Sequence, residues 1–104
     1  MFRSKDINNE IQGYLTALNQ LGIVVHKAIL FGSMAKGTPT QYSDIDLAVW
    51  SSNFTDNYFT NIEKTASLKR QFINVELHPF TLNDSAANNP FIVEIENTGK
   101  VILS

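Results

Sequence analysis

Three runs rich in apolar and β-branched residues, Val24 to Phe31, Asp44 to Trp50 and Ile73 to Phe80, alternate with stretches of helical period. This alternation constrains the fold more than any other feature, because each run is strand-length and is bounded by turn-forming residues. Upstream, Ile7, Ile11, Tyr14, Leu15, Leu18 and Leu21 form one apolar stripe of a helix over residues 5–21, and Gly22 fits its stop. Ser33 to Lys36 predicts a brief helical turn, ended by Gly37 and Pro39. A longer helix follows over residues 57–70, with Tyr58, Ile62 and Ala66 on one side. In the third run Ile73, Val75 and Leu77 fall on one face and Asn74, Glu76 and His78 on the other. Asn88-Asn89-Pro90 is a helix start, because Asn caps and Pro suits the first helical position. Phe91 to Asn97 continues that helix, Gly99 stops it, and Val101 to Leu103 adds a short strand. The order is that of an α/β (α+β) chain, a small mixed sheet of about four strands with helices packed on it.

At 104 residues the expectation is a single domain over residues 1–104, with one core. The chain has no cysteine, which excludes disulfides, zinc–thiolate sites and cysteine nucleophiles. A net charge of −2 argues against a broad, sequence-independent grip on nucleic acid. No apolar run approaches the roughly 20 residues needed to cross a bilayer. The opening MFRSKDINNE lacks the apolar segment of a secretory signal, so a cytoplasmic location without a membrane partner is expected.

The stretch GSMAKGTPTQYSDIDLAV, residues 32 to 49, carries the chemistry. Alternate strand residues share a face, so Asp44 and Asp46 point together while Ile45 and Leu47 point away. Such residues lie roughly 6.5–7 Å apart along a strand, and their carboxylates can converge on ions in front of the sheet. Metal pairs in phosphoryl chemistry sit about 3.5–4 Å apart, a span this pair can bridge. Oxygen donors favour Mg²⁺ or Mn²⁺ over zinc, and no His/Asp/Glu cluster is spaced for zinc. Taken alone, an acid–x–acid run also suits a turn in which Ser43 and Asp44 cap backbone groups. Gly32-Ser33 changes the balance. A strand that ends in Gly-Ser before a helical turn offers backbone N–H groups and a hydroxyl to an anion. Together the two features describe a nucleoside triphosphate held between phosphate donors and metal-bearing carboxylates.

LFGSMAKGTPTQYSDIDLAV resembles the hallmark of the polymerase-beta-like nucleotidyltransferase superfamily: an apolar strand, Gly-Ser, a spacer, then acid–apolar–acid–apolar. The short chain and its Ala35/Gly37 pattern resemble the minimal nucleotidyltransferase branch, similar to the antitoxin halves of HEPN–MNT toxin–antitoxin pairs. The resemblance implies the minimal nucleotidyltransferase fold, with Gly32 and Ser33 on the triphosphate and Asp44 and Asp46 on two Mg²⁺ ions. It implies a third acid on a neighbouring strand, for which Glu76 is the candidate, and ATP as the donor of AMP. The acceptor it implies is a hydroxyl on a HEPN toxin.

The remaining polar residues divide less sharply. Lys36 either neutralises phosphate or faces solvent. His78 shares a face with Glu76, within reach of a nucleotide, yet a lone His before Pro79 reads more readily as incidental; His26 reads as structural. Trp50, Phe54, Tyr58 and Phe59 read as core rather than as a platform for stacking a base. Two other functions fit the same residues: an antitoxin that acts by contact alone over a vestigial nucleotide site, and the nucleotide-binding subunit of an enzyme that modifies small molecules such as aminoglycosides. A second copy of the chain is a further possible partner, on which the sequence is silent.

Overall fold

In a computed structural model, which describes residues 4–32, 35 and 44–104, helix α1 (Ser4–Gln20) precedes strand β1 (Lys27–Phe31). Strand β2 (Ile45–Trp50), helix α2 (Tyr58–Thr65) with a 3₁₀ turn at Ala66–Leu68, and strand β3 (Val75–Phe80) follow. Helix α3 (Pro90–Thr98) and strand β4 (Lys100–Leu103) complete the chain. The strands form one mixed sheet in the order β3-β2-β1-β4. β1 runs antiparallel to both β2 and β4, whereas β2 and β3 are parallel, joined through α2. Among the described residues no helix is long and apolar enough to cross a membrane.

Strand alternation splits the buried side chains into two layers. Ala28, Leu30, Ile45, Leu47, Val49, Val75 and Leu77 pack with the α1 stripe of Ile7, Ile11, Tyr14, Leu15 and Leu18. The opposite face carries Ile29, Phe31, Ala48, Trp50 and Phe80, covered by Ile92 and Ile95 of α3. The first helix ends as its glycine requires: Gly22 has φ +85, Ile23 N–H donates to Leu18 O and Gly22 N–H to Asn19 O, each at 3.0 Å. This is a Schellman closure, which strains any residue with a side chain. Leu21 lies beyond the helix and is exposed rather than on the stripe. At α3 the Asn89 side chain accepts from Phe91 N–H at 3.0 Å, with Pro90 in the first turn, as the sequence predicts.

Several expectations are corrected. The first and third strands are shorter than their apolar runs, leaving Val24 and Ile73 exposed, because apolar character outlasts the hydrogen-bonded ladder. His26 precedes β1, its Nε2 lying 3.2 Å from Ser52 Oγ. Tyr58, Ile62 and Ala66 do line one side, but the fully buried residues of α2 are Asn61 and Thr65; Ile62 is partly buried and Tyr58 half exposed. Asn61 can be buried because it is satisfied: its Oδ1 accepts from Thr55 N–H at 2.8 Å and its Nδ2 donates to Thr55 O at 2.7 Å. A buried amide with both ends paired loses little on leaving water, so polarity does not mark the outer face here. Trp50 and Phe54 are core, as expected, whereas Tyr58 and Phe59 are exposed.

Candidate active site

The parallel register of β2 and β3 sets Asp46 beside Glu76, and Ala48 beside His78. All three polar residues fall on the sheet face that carries Phe31 and Phe80, beyond the part covered by Ile92 and Ile95. Asp46 also stands opposite Phe31, the last residue of β1, so the start of β2 and the end of β1 meet at one place. Each of Asp46, Glu76 and His78 offers a ligand atom within 4.8 Å of the others. His78 Nε2 lies 3.3 Å from Asp46 Oδ1, with both side chains about three-quarters buried. Its ring meets Phe31 edge-to-face at 4.8 Å between centroids and Phe91 at 5.9 Å.

Gly32 follows Phe31 with φ +76, a conformation that side chains disfavour. Space is a second reason for glycine: a Cβ built there would collide with Asp46 Oδ2. The Gly of the Gly-Ser motif and the second acid of the acid pair are thus brought together across the β1–β2 pairing. Ser33 and Lys36 lie outside the described residues. Asp44 immediately precedes β2 and is exposed; it is not among the three residues that converge within 4.8 Å.

The donor set fits a divalent cation. Two carboxylates and one imidazole face one another, and an ion with bonds of about 2.1 Å spans opposite donors about 4.2 Å apart, so small side-chain rotations close the observed spacing. The sequence shows no His/Asp/Glu cluster spaced for zinc along the chain; the cluster here is assembled across two strands, with His78 beside the expected Asp46 and Glu76. His78 is the member that sequence reasoning left aside. The signal for it was its position two residues after Glu76, repeating the spacing of Asp44 and Asp46.

On the outer side of β3, a cavity of about 310 Å³ is lined by Tyr14, Tyr58, Ile62, Lys69, Phe72 and Glu76, among others. Glu76 therefore borders both the acid cluster and an apolar recess. Lys69 Nζ donates to Val75 O at 3.3 Å, one residue before Glu76. Burial pushes the Tyr14 phenol up from 10.0 to about 12, so it is a neutral wall of the recess at ordinary pH.

Comparison with known proteins agrees with this geometry. No curated protein matches the chain. Among solved structures, the chain is similar to a crystal structure of a toxin–antitoxin with AMP-PNP, at 24% identity and a TM-score of 0.61, over 90% of this chain and 70% of that one. It is similar also to two mutants of the toxin–antitoxin MntA-HpeT. One has 22% identity and a TM-score of 0.57, covering 90% of this chain and 70% of that chain. The other has 25% identity and a TM-score of 0.58, covering 92% and 71%. The family described as "Polymerase beta, Nucleotidyltransferase" matches residues 9–104. With a nearly full-length match, a four-stranded mixed sheet and acids gathered from two of its strands, the chain belongs to the polymerase beta nucleotidyltransferase family.

Proposed function

We propose that this protein transfers a nucleoside monophosphate, AMP from ATP, to a hydroxyl on a partner protein of the HEPN toxin type, and so acts as its antitoxin. The observation that carries this reading is the convergence of Asp46 and Glu76 across parallel strands, with Gly32 pressed against Asp46. The similarity to toxin–antitoxin structures, one of them with AMP-PNP, supports the donor and the kind of partner.

Asp44, Asp46 and Glu76 would hold Mg²⁺, or Mn²⁺ in its place, which when bound offsets the negative charge of the triphosphate. Gly32, Ser33 and Lys36 are the proposed triphosphate contacts, and the missing side chain at Gly32 lets Asp46 stand against that turn. Glu76 accepts the proton of the incoming hydroxyl, whose oxygen forms a bond to the α-phosphorus. The bond between that phosphorus and the bridging oxygen to the β-phosphate breaks, and pyrophosphate leaves. Placing the two reactants in line accounts for most of the acceleration. The recess beside Glu76 suits the acceptor side chain, because the proposed base is part of its otherwise largely apolar lining.

The test uses ATP labelled at the α-phosphate, with Mg²⁺, purified protein and a lysate of the source cells. A labelled protein band that needs Mg²⁺ and disappears in Asp44→Asn/Asp46→Asn is the expected result. ATP binding with no label on any protein, in the presence of the expressed toxin, would leave the contact-only antitoxin. Label confined to small molecules would instead identify a metabolite-modifying enzyme.

A further inference from the structure

His78 is the one member of the cluster that the proposed transfer does not use. It stands two residues beyond Glu76 on β3 and one strand away from Asp46. Phe31 and Phe91 hold its ring in edge-to-face contacts, at interplanar angles of 66° and 67°. With the ring walled in this way, Nε2 faces Asp46 Oδ1 at 3.3 Å, and the side chain is only 22% exposed. A solvent-facing strand histidine would have neither the aromatic walls nor a carboxylate opposite its nitrogen.

We propose that His78 is a nitrogen donor to the cation held by Asp46 and Glu76, and that it tilts the site from Mg²⁺ toward Mn²⁺ and the later first-row divalent ions. The inference rests on the nucleotidyltransferase reading to the extent that this reading requires a divalent cation. Its physical basis is the difference between the ions. Mg²⁺ prefers oxygen and gives up its water reluctantly, so replacing a water by imidazole gains it little. Affinity for a nitrogen donor rises along the series from Mn²⁺ toward Cu²⁺, and imidazole suits these ions. The aromatic walls strengthen the effect, because a ring already held in place loses little freedom on binding. The competing role is positioning alone, in which Nε2–H donates to Asp46 and stays off the ion.

The chain has two histidines, His26 and His78, which makes the assignment tractable. Mn²⁺ is added to His26→Gln protein carrying either ¹⁴N- or ¹⁵N-histidine, and nitrogen coupling to the ion is read by pulsed electron paramagnetic resonance. Mn²⁺ and Mg²⁺ affinities are then measured, by titration and by competition, for wild type and His78→Gln. The expected result is an isotope-dependent coupling in His26→Gln. With it, His78→Gln loses at least about tenfold in Mn²⁺ affinity and much less for Mg²⁺. Bound Mn²⁺ without histidine coupling, or an unchanged Mn²⁺/Mg²⁺ preference in His78→Gln, would overturn the inference and leave His78 a positioning residue. Failure of wild type to bind Mn²⁺ at all would instead overturn the cation site itself. Should His78→Gln not fold, the labelled His26→Gln spectrum still decides the question.

Discussion

Replacing Gly32 by alanine separates two demands that the structure makes at one position. The first is backbone: at φ +76 a side chain costs roughly 1–2 kcal/mol. The second is space, because the new methyl meets Asp46 Oδ2. That oxygen is the end of a rotatable side chain, so the collision is relieved by swinging the carboxylate away. Little stability is then lost beyond the backbone strain, but Asp46 leaves His78 and the cluster. Gly22→Ala is the control, since Gly22 has φ +85 and nothing within 4 Å of a built Cβ. Both variants are therefore expected to lose about 1–2 kcal/mol, or roughly 4–16 °C of Tm for a domain of this size. Only Gly32→Ala should also lose cation binding, by about tenfold or more. Urea unfolding, thermal melts and Mn²⁺ titration on the two variants provide the comparison. Equal Mn²⁺ affinity in Gly32→Ala and wild type would refute the reasoning, because it would mean that the glycine is there for backbone conformation alone.

Other expectations follow from single residues. Glu76→Gln should fold as wild type does but slow label transfer by about 10²-fold or more, the range for loss of a general base; a rate within a fewfold of wild type would remove Glu76 from that role. Asn61→Ala removes a buried amide and leaves Thr55 N–H and C=O without their two side-chain hydrogen bonds. It should cost about 1–3 kcal/mol by urea unfolding, and Asn61→Leu should not recover that loss, since the orphaned groups are on the backbone. The Tyr14 phenol, raised to about 12 in the fold, holds its proton where the unfolded chain has begun to release it. Stability should therefore be unaffected below about pH 10 and fall by up to about 1.4 kcal/mol per pH unit between pH 10 and 12. Tyr14→Phe should abolish that part of the alkaline loss, which melts from pH 8 to 11 would measure.

The sequence by itself determined the features that depend on neighbours a few residues away. The α1 stripe, the Gly22 closure, the Asn89-Pro90 start of α3 and the alternation that turns Asp46 and Glu76 away from the α1 layer are local consequences of helix period, cap chemistry and strand pleat. The family hallmark was legible for a related reason, since its glycine and its acids fall within one stretch of chain. Tertiary structure alone decided what pairs with what. Asp46 and Glu76 become neighbours only because β2 and β3 align in parallel across thirty residues of chain. The same register brings in His78, whose spacing from Glu76 placed it on the right face but could not by itself set it against Asp46. Gly32 is likewise a glycine for two reasons, and the contact with Asp46 exists only once β1 and β2 are paired. The inward face of α2 was hidden because Asn61 is satisfied by a loop backbone. Hydrogen bonding to the loop that leads into the helix reverses the rule that polar residues face water, and no periodicity records it.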